Sequence, residues 1–165
     1  MNSSKLVYIC KTDTILGKIF AGVFPCDYLP AKPTYPFAII VNTDPKAKPG
    51  KHWIAMYFDS DGCGDYYDSY GRQPLPVFED YLDKHCHRWQ SNNKQVQSPF
   101  SSTCGQHCVY FLHQRSRNVP MKEIVNQFGS KQMENDEMVK DFVNAVYNKN
   151  TKVIDIDFIV DQISE

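Results

Sequence analysis

No apolar run in the 165 residues approaches the roughly 20 that a helix needs to cross a bilayer, so no membrane contact is expected. The opening segment lacks the basic start, apolar stretch and small-residue cleavage site of a secretory leader. Neither sign of charge dominates: 18 Lys+Arg stand against 19 Asp+Glu, a formal net charge of −1. That balance argues against a protein built mainly to coat nucleic acid. Internal repeats, low-complexity blocks and dividing linkers are also missing. What is present is enough for a core, because 42% of residues are hydrophobic and 13% aromatic, which excludes wholesale disorder. The length fits one domain over residues 1–165, burying roughly 70% of its unfolded surface.

Six cysteines, Cys10, Cys26, Cys63, Cys86, Cys104 and Cys108, could in principle form three disulfides. Without a secretion signal, and in a chain large enough to need no staples, free thiols in a reducing compartment are expected instead. Each thiol must then be read from its own surroundings.

Hydrophobic spacing predicts a helix over Thr12–Phe20, with Ile15, Leu16, Ile19 and Phe20 on one side and Thr12 or Asp13 as cap. Pro25, Pro30, Pro33 and Pro36 punctuate an extended loop. Phe37–Val41 reads as a buried strand and His52–Phe58 as a second. Asp59-Ser60-Asp61-Gly62 is a hairpin turn signal, and Asp65–Tyr70 returns as a third strand. A helix is expected over Leu75–His85 behind Pro74, then a short strand at Lys94–Gln97. Cys104–Arg115 reads as a helix with Cys108, Phe111, Leu112 and Arg115 along one side. Helices near Met121–Phe128 and Asn135–Tyr147 follow, and Val153–Ile163 is ambiguous between strand and helix. Strands in the middle with helices at both ends make the class α+β.

Four residues carry the chemistry. His52 opens a strand, Asp68 ends the returning one, Gln97 precedes a Pro-containing loop, and Cys104-Gly105 opens the longest convincing helix. An ordinary thiol with pKa near 8.5 is only about 3% thiolate at pH 7. A sulfur at a helix N-terminus meets unpaired N–H groups that stabilise the anion, and an imidazolium partner does more. The reactive fraction then rises about thirtyfold. Gly105 leaves the backbone beside the sulfur open to a substrate carbonyl. On adjacent antiparallel strands His52 and Asp68 can lie opposite one another, so that the carboxylate fixes one ring nitrogen and leaves the other for the thiol. Gln97 offers a side-chain N–H to an oxyanion, with the Cys104 amide as second donor, and one such donor is worth about 3–4 kcal/mol to the transition state. Taken singly each residue has an ordinary reading: a buried thiol, a surface histidine, a turn-forming aspartate, a loop glutamine. Their order and spacing are what count.

That order resembles the adenovirus-type cysteine protease family (adenain), related to the SUMO-deconjugating, Ulp1-like proteases. The resemblance is carried by Ile39-Ile40-Val41-Asn42-Thr43 before His52-Trp53, by Asp68-Ser69-Tyr70-Gly71, and by Val96-Gln97-Ser98-Pro99 through Cys104-Gly105 to Cys108. Phe111-Leu112-His113 and Pro120-Met121 extend it, and weaker likeness reaches from about residue 12 to 148. It implies a central mixed β-sheet flanked by helices, with the nucleophile at the N-terminus of a buried helix. It also implies a Cys-His-Asp triad of Cys104, His52 and Asp68 with Gln97 in the oxyanion hole, and substrate binding by Trp53 and Gly105 with a preference for Gly near the scissile bond. Substrates would be viral or virus-derived precursor proteins, of adenovirus-like or transposon type. The location implied is intracellular, in the host nucleus or the virion, and the chain is expected to be a monomer.

Asp68 stands where human adenovirus enzymes carry Glu, as in the SUMO-protease relatives, and the Tyr70–Gln97 segment is shorter. Adenovirus enzymes are stimulated by DNA and by a short viral peptide joined through a disulfide. Cys86 falls at the position of that peptide-bonded cysteine, whereas the net charge of −1 does not favour DNA, and Lys46, Lys48 and Lys51 read as a solvated turn. No metal or cofactor is required by the sequence. Two other readings remain open: a deconjugating protease for a ubiquitin- or SUMO-like modifier, and a non-catalytic interaction or zinc-binding module using His85-Cys86-His87 or Cys104, His107, Cys108 and His113. Consecutive side chains diverge on a helix, which weakens the zinc pattern.

Overall fold

The computed structural model describes residues 1–31 and 33–146. Its centre is a five-stranded mixed sheet in the order β1-β2-β3-β4-β5: β1 (Phe20–Pro25), β2 (Phe37–Asn42), β3 (Trp53–Phe58), β4 (Cys63–Tyr67) and β5 (Arg88–Ser91). β2–β3 and β3–β4 are antiparallel hairpins, while β1 lies parallel to β2 and β5 parallel to β4. The helices are α1 (Ser3–Thr12), α2 (Pro76–His85), α3 (Cys104–Ser116) and α4 (Met121–Asn126), and residues 132–146 are helical as well. The class is α+β.

All six residues of β2 are buried, which explains its unbroken apolar run: a sheet covered on both faces has no polar side to alternate with. Phe37, Ile39 and Val41 pack with Ile54, Met56, Phe58 and Tyr66 beneath Phe78, Tyr81 and Leu82 of α2. Phe37 stacks on Phe58 with centroids 4.2 Å apart. Ala38 and Ile40 face the other way, onto α1 and α3. There Phe111 stacks on Tyr67 at 4.5 Å, within the range where aromatic pairs gain energy beyond burial. α3 is buried at Gly105 and from His107 through Leu112; it is the interior helix.

Several boundaries differ from expectation. The first helix spans Ser3–Thr12, not Thr12–Phe20: Leu6, Ile9 and Cys10 form its buried stripe, and Asn2 caps it by accepting from the Lys5 N–H at 2.9 Å. Asp13 ends this helix, its carboxylate accepting from the N–H groups of Ile15 and Leu16 to hold a short 3₁₀ turn. Phe20 begins edge strand β1. A short apolar run supports either period, and the sheet edge decided it. Strand β4 stops at Tyr67, so Asp68–Tyr70 leaves the sheet. Lys94–Gln97 is not a strand; the fifth strand is Arg88–Ser91, too polar for its pattern to show. The predicted tail element at residues 153–163 lies outside the described residues, as does position 147. All six cysteines are unpaired.

Candidate active site

The antiparallel register that pairs Ala55 with Tyr67, continued past the strand ends, sets Tyr70 rather than Asp68 across from His52. The His52 ring stacks on Tyr70 with centroids 4.7 Å apart and reaches diagonally to Asp68, its Nε2 lying 2.6 Å from Oδ1. The two residues meet, but not by direct opposition. A carboxylate can only accept, so Nε2 carries the hydrogen and Nδ1 is left for the sulfur. Asp68 is held in turn. Its backbone N–H donates to the Asn92 side chain at 2.9 Å, the Asn92 amide donates back to its carbonyl at 2.6 Å, and Tyr70 N–H donates to Oδ1 at 2.8 Å. Gly71, at φ +67°, closes the turn where an added Cβ would meet the Gln95 and Lys94 backbone at 2.7 Å.

Cys104 is the first residue of α3. The Thr103 hydroxyl, which could have capped the helix, donates instead to Asp136 Oδ1 at 2.8 Å, leaving the first-turn N–H groups to act on the sulfur. Burial pushes the Cys104 thiol up, but the hydrogen bond from His52, the backbone N–H groups of Trp53 and Gly105 and the imidazolium charge outweigh it, and the net shift is downward. Burial pulls His52 down, yet hydrogen bonds and charges from Asp68 and Cys104 lift it to about 9. The opposite directions favour one state, thiolate beside imidazolium. Cys10 and Cys108 on the same side of the sheet lack such partners, and burial pushes both up.

Gln97 is fully buried. Ser69 Oγ–H donates to its Oε1 at 2.6 Å, which fixes the amide with its nitrogen toward Ser101 (carbonyl and hydroxyl both at 3.2 Å). The Ser69 carbonyl also accepts from the N–H groups of Val96 and Gln97. Asp68-Ser69-Tyr70-Gly71 is therefore one unit serving both the histidine and the glutamine.

The loop from Ser98 to Thr103, between Gln97 and Cys104, is pinned by a buried residue that sequence reasoning missed. Asp136 accepts from Ser98 N–H at 3.1 Å, from Thr103 Oγ–H, and from His107 Nε2 at 2.9 Å. Burial holds His107 low despite this carboxylate, so His107 is neutral, donates through Nε2 and turns Nδ1 to the Tyr67 hydroxyl, 3.4 Å away. Neighbouring Asn135 donates to the carbonyls of Val96 and Gly129 at 3.0 Å each. The signal available was an Asn-Asp pair at the start of a helix, indistinguishable from a cap.

A cleft of about 690 Å³ is lined by Cys104, Ser102, Trp53, Met1 and the β2–β3 loop. Trp53 Nε1–H donates to the Met1 carbonyl at 3.1 Å. Gly105 does not face this space as expected; it is buried, and an added Cβ would stand 3.1 Å from Met1 Cβ and 3.5 Å from Leu6 and Trp53. Its missing side chain lets α1 and Trp53 close over the helix end. Cys86, at the C-cap of α2, is half-buried, and burial with Cys63 nearby pushes its thiol up to about 12. Among the described residues no group of three or more His, Cys, Asp or Glu could hold a metal ion.

A sulfur poised as thiolate by an imidazole, itself oriented by a carboxylate, is what a cysteine hydrolase requires. Comparison with known proteins finds relatives that are named as proteases. Proteases of bovine adenovirus 4 and bovine adenovirus C serotype 10 are 32% and 30% identical over 93 and 89 residues, each match covering 45% of this chain and 44% and 45% of the relative. A thiol protease of Acanthamoeba polyphaga mimivirus is 28% identical over 99 residues, covering 54% of this chain and 33% of that protein. The matches thus span less than half the length of these relatives. Among solved structures, the ASFV protease superposes with TM-score 0.60 at 16% identity, covering 84% of this chain and 65% of that one. The SUMO protease Ulp1 gives 0.52 at 12%, covering 91% and 78%. No family model matches. Sequence likeness to viral proteases and the shared fold are together consistent with the adenain/Ulp1-like family of cysteine proteases.

Proposed function

We propose that the chain is a cysteine endopeptidase in which Cys104 attacks, His52 moves the proton, Asp68 orients His52, and Gln97 with the Cys104 amide holds the oxyanion. The thiolate of Cys104 adds to the scissile carbonyl, forming the C–S bond and placing negative charge on oxygen, where the Cys104 N–H acts together with a Gln97 N–H that turns to it from Ser101. The tetrahedral species collapses as the C–N bond breaks, and His52 Nδ1–H gives its proton to the leaving amine. Water, deprotonated by His52, then adds to the thioester, and the carboxylate product leaves with the thiolate restored. The observation that carries this reading is geometric: His52 lies on Asp68 at 2.6 Å and Cys104 opens α3, an arrangement that pushes the thiol down and the imidazole up.

Substrates are polypeptides with Gly near the scissile bond. The support is that Trp53 and Met1, joined by the Trp53 Nε1–H to Met1 carbonyl bond, line the cleft together with Cys104. The viral relatives support a virion or host-cell setting; viral precursor proteins as substrates, and the nucleus as a location, are part of the proposal. A peptide joined by disulfide to Cys86 is a subsidiary proposal from the same likeness; non-reducing mass spectrometry of the native protein tests it. Cys104→Ala should abolish cleavage of a Gly-Gly-containing peptide, and unchanged cleavage would refute the assignment. A second reading, release of a ubiquitin- or SUMO-like modifier, draws on the fold shared with Ulp1 and with ChlaDub1 of Chlamydia trachomatis (TM-score 0.55, 16% identity, covering 90% of this chain and 78% of that one). Faster turnover of a modifier-derived fluorogenic substrate than of a viral-type peptide would favour it.

A further inference from the structure

The β2–β3 loop runs from Thr43 to His52 and forms one wall of the cleft that holds Cys104. It brings Lys46, Lys48 and Lys51 to that wall against one carboxylate, Asp44. Of the remaining lining side chains only Cys104, as the thiolate offset by the His52 imidazolium, is charged; Ser3, Val23, Trp53 and Ser102 carry no charged side chain. All three lysines are exposed, and none forms an ion pair among the described residues. The cleft is thus cationic in a chain whose net charge is −1.

The lysines do not hang from a loose turn. Thr43 N–H donates to the His52 carbonyl at 3.0 Å and Lys48 N–H to the Pro45 carbonyl at 3.0 Å. The Lys46 N–H donates to Asp27 at 2.9 Å. Gly50, at φ +87°, lies so close to the Asn42 amide that an added Cβ would stand 2.6 Å from its nitrogen. The loop ends in His52, so its backbone, and the positive rim on it, keeps a set distance from the reacting centre.

We infer that this rim selects polypeptide substrates with acidic residues on the flank lying along the β2–β3 loop. The inference rests on the proposed protease reading and specifies its substrate class. An occupant of this cleft must present a carbonyl to Cys104, which favours an extended acidic peptide over a nucleic acid. Exposed ion pairs are individually weak and screened by salt, so two or three of them amount to about tenfold in selectivity at low ionic strength.

The test uses quenched-fluorescent peptides sharing one Gly-containing core, with two Glu or two Lys on one flank and then on the other. At 50 mM salt the acidic flank should raise kcat/KM about tenfold over the basic one, through KM, and at 0.5 M salt the ratio should fall below about twofold. The variant K46E/K48E/K51E should invert the ratio. Equal kcat/KM for both charges, or a preference that survives charge reversal, would overturn the inference. In parallel, binding of the same peptides to Cys104→Ala is read by fluorescence anisotropy. If no peptide is cleaved but Glu peptides still bind in a salt-sensitive way that the lysine reversals remove, the protease reading fails while recognition of acidic peptides by the rim stands. Displacement of the Glu peptide by duplex DNA at lower charge concentration would show a nucleic-acid surface and refute it.

Discussion

Replacing Asp136 by Asn tests whether the loop between Gln97 and Cys104 is held from below. The carboxylate accepts three hydrogen bonds, two at Oδ1 from Thr103 and His107 and one at Oδ2 from Ser98 N–H, and it is 2% exposed. In the amide one acceptor becomes a donor. If the nitrogen faces Ser98, two N–H groups confront each other; if it faces Thr103 and His107, two donors lose their acceptor. A buried donor left unsatisfied costs about 1–3 kcal/mol, so Asp136→Asn should destabilise the fold by about 2–4 kcal/mol. Urea unfolding should show this as a midpoint lowered by about 1–2 M with an unchanged slope. Both ends of the loop carry groups assigned to the reaction, so kcat/KM measured where the variant is folded should fall about 10–100-fold, in keeping with the cost of small misplacements. A variant with wild-type midpoint and activity would refute the view that Asp136 positions the loop.

Peptide cleavage should follow a bell-shaped pH profile. His52 is raised to about 9, so the imidazolium needed to protonate the leaving amine is lost as pH rises through that value, while the acid limb follows the lowered Cys104. A rate that climbs without a break past pH 10 would contradict this. Asp13 accepts from Arg117 at 3.1 Å on both oxygens and from His113 at 2.9 Å. Burial with Arg117 close by holds His113 neutral, so that contact is a hydrogen bond rather than an ion pair. Burial alone would raise Asp13, but the Leu16 and Ile15 N–H groups, Arg117 and His113 bring it below the ordinary carboxylate range. Its contribution is therefore present above that range and lost as pH falls through its lowered value. Asp13→Asn should cost about 1–3 kcal/mol at pH 7, the gap to wild type closing in strong acid by thermal unfolding. Phe111→Ala removes the ring stacked on Tyr67 beneath the site and should cost about 3–5 kcal/mol, read by calorimetry.

What the sequence made legible were features whose cause is local. β2 and β3 are continuous apolar segments bounded by Pro36 and by the turn at Asp59–Gly62, and Asp59 Oδ1 does accept from Asp61 and Cys63 N–H at 2.9 Å each. α3 follows a run of poor helix formers, so its start at Cys104 was readable. The four candidate residues could be named because short stretches of chain carry them in order, and of these the structure joins His52 to Asp68. Missed were elements whose cause is distant. β1 and β5 are edge strands recruited by parallel pairing with β2 and β4, and neither has a pattern of its own strong enough to show it. Asn92, Asp136 and the Ser69 hydroxyl act through bonds spanning 24 to 38 residues, and a buried polar side chain looks in sequence like an exposed one. The role of Gly105 was misread because the atoms that crowd it, from Met1, Leu6 and Trp53, come from elsewhere in the chain.

The central claim is that His52 keeps the Cys104 sulfur ionised. Iodoacetamide labelling at pH 6, followed residue by residue with mass spectrometry, reads it directly, because an ordinary thiol is only about 0.3% thiolate there. Cys104 should label first among the six cysteines and lose that lead in His52→Ala. A Cys104 that labels no faster than Cys26, or as fast without His52 as with it, would contradict the account.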